Sequence, residues 1–210
     1  MTDVWSERAQ LYRESDAHRQ GADLDLLVRW AEGDSALDVA TGGGHVARRL
    51  REAGLTVVTA DPSPGMEPDV ICRAEDLPFA DATFDVVACR IAPHHFDDVG
   101  AAIREMARVS RRLVLVVDNL YRGEAVEEAE RLRDPTHVQN YSEEEWRELL
   151  EQARLSIEAV ELMEAEFELE PWLARAGCEG AEAERVRELL GDWIRDGKLR
   201  GMRIALKGRK

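Results

Sequence analysis

ALDVATGGGHVA, residues 36–47, is the stretch on which the fold turns. A short apolar run interrupted by one acid, Asp38, ends in three consecutive glycines, and a segment compatible with a helix follows. Glycine loses more conformational freedom on folding than any other residue, so a run of three needs a sharp turn or a close approach to explain it. A strand over 36–40 that turns into a helix over 46–53 is the opening unit of a sheet that binds ligands at its strand ends. Gly42, Gly44 and Ala47 fit G-x-G-x-x-G/A, and an acid, Asp61, ends LTVVTAD (55–61) about 20 residues on. A dinucleotide asks for such parts, and so does any other ligand that carries a ribose. Asp38 narrows the choice, because an acid inside the first strand suits a ligand with an ammonium group near the glycine turn.

The remaining strands and helices surround this unit. Apolar, β-branched stretches at 69–74, 84–92 and 111–119 predict three further strands, with a helix over 98–109 capped by Asp97 or Asp98. Strands alternating with helices or loops predict an α/β fold with a doubly wound, mostly parallel sheet. Beyond residue 119, Ser142 and Glu145 form a capping-box pattern that opens a helix. A strand over 156–169, an amphipathic helix over 182–196 and a strand over 201–209 complete the chain. No linker separates the halves, so 1–210 reads as a single domain. In it 1–32 is a helical cap, 33–120 a ligand-binding core, and 121–210 a C-terminal half with a capping insertion.

One crossover is too short. Between Asp61 and Asp69 the chain reads DPSPGMEP, where parallel strands normally need about a dozen residues of connection. Pro62, Pro64 and Pro68 fix their own φ and disfavour a helix before them. The helix between the second and third strands is therefore expected to be missing, replaced by an irregular loop that leaves the ligand site open. The N-terminal segment or the second protomer of a homodimer is the alternative cover.

Composition bounds the partners. The 210 residues carry a formal net charge of −15, which argues against nucleic acid as the main partner. The N-terminal residues show no signal peptide, and no apolar run reaches membrane-spanning length, so a cytoplasmic protein without a membrane partner is expected. Three scattered cysteines, Cys72, Cys89 and Cys178, fit reduced thiols, and no spacing of ligating residues suggests a metal.

LDVATGGGHVA (37–47), RAEDLPFADATFDVVACRIAPHHF (73–96) and VLVVDN (114–119) together resemble the class I S-adenosylmethionine (SAM)-dependent methyltransferases, in the ubiquinone/menaquinone-biosynthesis-like (type 11) branch. The resemblance is looser over 141–161 and 170–177. It implies SAM as cofactor and methyl transfer to a small-molecule acceptor. By the same resemblance Asp38, Ala40, Thr41, Gly42 and Gly44 line the methionine end of SAM. Asp61, with Pro62 beside it, takes the ribose hydroxyls; Ala74 and Glu75 lie at the adenine; and Arg90 and Ile91 lie beneath the sulfonium. Arg73 stands where the family has an acid, and Ala40 where it has a glycine.

His94 and His95, just past the fourth strand, are the candidate catalytic bases, since histidine suits proton transfer near neutral pH. Tyr12, Ser15 and His18 on the N-terminal helix, with His137, Phe167, Trp172 and Arg175, are the candidates for the acceptor pocket. A SAM-binding pseudo-enzyme serving as an interaction module and an NAD-dependent oxidoreductase remain as alternative readings.

Overall fold

The structure is a computed structural model, and it describes residues 3–14 and 19–210. At its centre the apolar runs found in the sequence lie side by side as β1 (Ser35–Val39), β2 (Thr56–Asp61), β3 (Val70–Ile71), β4 (Phe84–Arg90) and β5 (Ser110–Asn119). Together with β6 (Ser156–Glu168) and β8 (Lys198–Arg209) they form one sheet in the order β3-β2-β1-β4-β5-β8-β6, with β7 (Ile194–Arg195) paired to β8. The first five strands pair in parallel and β8 runs antiparallel to both β5 and β6. The order reverses next to β1, so the C-terminal ends of β1 and β4 flank a crevice, the usual ligand position in such sheets.

Side-chain alternation sorts the strands onto two cores, as a period of two requires. Val114 and Val116 join Leu37, Ile103, Met106 and Trp146 on one face. That face is covered by α4 (Val99–Val109) and α6 (Glu143–Gln152). Leu113, Leu115 and Val117 join Leu24, Leu27 and Leu50 on the other, under α2 (Ala22–Trp30) and α3 (His45–Glu52). The predicted caps are present. Asp98 accepts the Ala101 N–H at 2.8 Å, and Ser142 and Glu145 make the reciprocal capping box.

Several elements depart from the sequence reading. The N-terminal helical segment resolves into two described helices, α1 (Val4–Glu14) and α2. The strand predicted over 69–74 shrinks to two residues, and the helix predicted over 182–196 is Gly180–Leu190 (α8), stopped at Gly191. The residues after that stop make a 3-10 turn and the short strand β7. Two helices absent from the sequence reading, α5 (Glu124–Arg133) and α7 (Leu169–Ala176), pack with α8 around Trp172, Leu173 and Val186 as a third core.

The crossover after β2 does lack its helix and makes only a 3-10 turn at Pro64–Met66. It is not left bare. The Ser6 hydroxyl of α1 lies 2.8 Å from the Gly65 N–H it accepts and 2.9 Å from the Ser63 hydroxyl, while Arg13 donates to the Gly65 carbonyl at 3.0 Å. A Cβ on Gly65 would sit 2.5 Å from Ser6 Cα, so the glycine allows this docking. Arg8 fixes the other side of α1 through Asp134 at 3.0 Å and the Ala176 carbonyl at 3.0 Å. The expected opening is therefore closed by the chain's own N-terminal helix. Among the described residues no helix is long and apolar enough to cross a membrane.

Candidate active site

The glycine turn begins with strain. Ala40, at the end of β1, has φ +53° in the left-handed region that costs a residue with a Cβ about 1–2 kcal/mol. Ile91, just past β4, is held at φ +53° as well, a more severe case for a β-branched side chain. Both strained residues face one cavity of about 490 Å³ at the C-terminal ends of β1, β2 and β4, under α1. Such outliers cluster where a site dictates backbone shape.

The three glycines act differently. Gly42 (φ +49°) carries the chain off β1, and its N–H donates to Asp61 Oδ2 at 2.9 Å, tying the turn to the end of β2. A Cβ on Gly43 would meet the His45 ring at 2.7 Å and the Tyr12 carbonyl at 3.0 Å, so this glycine admits α1. Gly44 is the left-handed residue that starts α3 (φ +73°) and is not on the cavity wall, contrary to its expected role as a cofactor contact. What comes close to the glycine run is thus partly the chain's own lid helix.

Two acids define the cavity's chemistry. Asp38 is fully buried and accepts the Thr41 hydroxyl at 2.6 Å and the Ala47 N–H at 3.0 Å, both through Oδ2. Burial pushes its pKa up to about 6 against the pull of those bonds. Asp61 accepts one backbone N–H on each oxygen, from Gly42 and from Ser63 at 2.9 Å. Each carboxylate oxygen can accept a second bond, so a pair of vicinal hydroxyls can be taken without breaking the turn. Glu75 and Asp97 line the same cavity and hold Arg73 at 3.0 and 2.6 Å, and Arg90 is held by Asp23 at 2.6 Å. The arginines of the wall are thereby paired with acids, and the carboxylates of Asp38, Asp61 and Asp3 remain to face a positively charged ligand.

Of the expected cofactor contacts, Asp38, Ala40, Thr41, Gly42, Asp61, Pro62, Ala74, Glu75, Arg90 and Ile91 all border this cavity. His45 borders it as well, and Trp5, Met66, Phe96 and Thr136 border it without having been foreseen. Trp5 and Thr136 carry no motif that marks them; only the docking of α1 and the loop after α5 brings them there.

The histidines divide. The His95 Nδ1 lies 3.0 Å from the Thr136 carbonyl, which can only accept, so this nitrogen carries the proton and Nε2 keeps the lone pair. Burial, with neighbouring His94 adding to it, holds the His95 pKa well below the usual imidazole value. Trp5 braces the ring edge-on at 4.7 Å between centroids. His94 instead gives Nδ1–H to Asp118 at 2.6 Å and does not reach the large cavity. His137 bonds Glu127 at 3.1 Å inside the protein and lines neither this cavity nor its smaller neighbour, so its expected substrate role has no geometric support. Tyr12 walls both cavities and Trp172 the smaller one. His18 and Ser15 lie outside the described residues.

Comparison with known proteins gives this geometry a family. A methyltransferase-domain family model matches residues 37–117. The chain is 30% identical over 211 residues to the methyltransferase YcgJ of Bacillus subtilis, covering 89% of this chain and 82% of that one. The chain belongs to the class I SAM-dependent methyltransferases. The solved structure of YcgJ from Bacillus subtilis superposes with a TM-score of 0.80 at 25% identity, covering 90% of this methyltransferase and 97% of that chain. Demethylmenaquinone methyltransferase of Corynebacterium urealyticum is 40% identical over 96 residues, 42% of this chain and 40% of its own length.

SAM is the cofactor of this methyltransferase, and the residues suit it. Its α-ammonium and sulfonium match a wall that includes the carboxylates of Asp38 and Asp61, and its ribose diol matches the remaining lone pairs of Asp61. When bound, it supplies a methyl group made electrophilic by the sulfonium.

Proposed function

We propose that this methyltransferase methylates a small-molecule acceptor, with His95 as the general base. The carrying observation is that α1 and Pro135, Thr136 and Val138 after α5 roof the cavity, and that Tyr12, Ile91 and His95 wall both it and a neighbouring pocket of about 60 Å³. A folded protein surface or a duplex does not enter so confined a space, and the net charge of −15 opposes nucleic acid independently.

Methyl transfer is an in-line displacement, so alignment supplies much of the rate. The chain's part is to hold the acceptor atom at the inner end of the cavity and to take its proton. His95 suits this role: its Nε2 lone pair is fixed by the Nδ1–H bond to Thr136, and its depressed pKa keeps it unprotonated at neutral pH. His94 positions it from behind, with ring centroids 4.1 Å apart.

The test is to incubate the enzyme with methyl-labelled SAM and a cell extract separated into low-molecular-weight, protein and nucleic-acid fractions. Label is expected in the low-molecular-weight fraction. Label confined to protein or nucleic acid would overturn the reading.

A further inference from the structure

The smaller cavity behind Tyr12, Ile91 and His95 has a composition opposite to the large one. Arg122, Arg133, Arg175 and Arg203 line it, against one carboxylate, Glu130. The nearby acids are already committed. Glu130 accepts from Arg122 at 2.9 Å and from the Asn140 amide at 2.8 Å. Asp23 is shared by Arg90 at 2.6 Å and Arg203 at 2.9 Å, and Asp134 is held by Arg8 at 3.0 Å and by the Thr136 hydroxyl at 2.7 Å. Among the described residues the charges lining the pocket sum to a positive balance.

Two further observations point to a ligand. The Nε atoms of Arg122 and Arg203 are buried without a hydrogen-bond partner, a state that costs free energy unless something else satisfies it. Arg133 is half-buried, with its guanidinium over the Trp172 ring at 4.2 Å and its Nε given to the Trp172 carbonyl at 3.0 Å. Burial lowers the pKa of both Arg133 and Arg175, and at Arg175 the charge of Arg133 is the next cause. Guanidinium groups partly withdrawn from water stay charged, and an anion between them offsets their mutual repulsion.

We propose that this pocket seats the oxyanion, a carboxylate or a phosphate, of the methyl acceptor. The inference rests on the acceptor reading above and deepens it. About 60 Å³ admits roughly four or five water-sized probes, enough for one such group and too little for a ring system. Planar guanidinium forks match either oxyanion in a bidentate manner. Because Tyr12, Ile91 and His95 wall both cavities, an acceptor anchored here reaches toward the His95 ring and the strained Ile91 backbone. The arginines then select the acceptor by its anionic end, while the acids of the large cavity hold the cationic cofactor.

The experiment titrates inorganic phosphate and acetate, each against chloride at matched ionic strength, into the SAM-saturated protein, and follows binding by calorimetry and thermal shift. At least one of the two is expected to bind the wild type and to raise its Tm. Arg133→Gln and Arg175→Gln should weaken that binding by about tenfold or more, and the tighter probe identifies carboxylate or phosphate. Neither anion exceeding chloride, or both variants binding as the wild type does, overturns the proposal. SAM binding, read separately in each protein, shows that the variants are folded. Its absence from the wild type would count against the cofactor site and leave the anion result to be judged alone.

Discussion

The Asp118 carboxylate on β5 receives two bonds from one residue, the Nδ1–H of His94 at 2.6 Å and the His94 backbone N–H at 2.8 Å. Asp118 is wholly buried, so this doubled contact locks the 3-10 turn Pro93–His95 onto the sheet. The consequence falls on the next residue. His95 is presented to the cavity by a turn that cannot swing, with its proton placed on Nδ1 by Thr136.

The two histidines should therefore fail differently. His94→Ala is expected to lower stability by about 1.5–3 kcal/mol, since it removes the side-chain partner of a buried carboxylate. His95→Gln should leave SAM affinity nearly unchanged and lower turnover on the order of 100-fold once an acceptor is in hand. The acid limb of the wild-type kcat profile should lie below pH 6.5, because burial depresses the His95 pKa. Chemical denaturation, calorimetry and a pH–rate profile decide these points; full activity of His95→Gln would assign the proton to another acceptor.

The parts of this site that were legible in the sequence are those held by local chain geometry. Asp38, Gly42 and Asp61 sit on or beside strand ends, and strand pairing alone brings them together. The parts that were missed depend on long-range docking. Trp5 joins the cavity because Ser6 finds Gly65, and Thr136 because Arg8 finds Asp134, pairings that no periodicity encodes. α5 was overlooked because GEAVEEAERLR is short and mostly charged, and its apolar residues Val126 and Ala129 gain meaning only against α7 and α8. Gly44, by contrast, is placed by its motif but serves the backbone at the start of α3.

Asp38 sets stability against function. Its pKa rises from the ordinary 3.8 to about 6, so between those values the folded state keeps a proton that the unfolded chain has lost. Stability therefore falls as pH rises through that window, and above it the full penalty of the buried charge applies. Asp38→Asn should raise the Tm of the ligand-free protein at about pH 8, with the advantage closing as pH falls toward about 4. The same variant should lose the SAM-induced rise in Tm. Thermal scans with and without SAM across this range check both statements, and a variant less stable than wild type at every pH would refute the first.

Asp61→Ala should weaken SAM binding by about 1.5–3 kcal/mol, the loss expected for a charged hydrogen-bond partner. The change also frees the Gly42 and Ser63 N–H groups, so Asp61→Asn, which can still accept one of those bonds, should retain more affinity. Titration calorimetry on the pair separates the ribose contact from the turn. Wild-type affinity in Asp61→Ala would make Asp61 a turn residue only.

Gly65 is the point on which α1 docks. Its φ is not in the left-handed region, so Gly65→Ala acts through the clash with Ser6 and not through the backbone. The variant should keep its global Tm within a few degrees, yet show faster proteolysis within α1 and SAM affinity weakened by about tenfold. An unchanged proteolysis pattern with normal affinity would mean that α1 contributes little to holding the cofactor.

The docking of α1 also imposes an order of events during biosynthesis. Its anchors lie far along the chain: Ser6 reaches Ser63 and Gly65 across 57 and 59 residues, and Arg8 reaches Asp134 and Ala176 across 126 and 168. On the ribosome, α1 must wait for Asp134 and Ala176, which emerge long after it, while β1 to β5 assemble from neighbours nearer in sequence. The docking of α1 is complete only after Ala176 has emerged, so the cofactor chamber closes later than the parallel strands beneath it can pair.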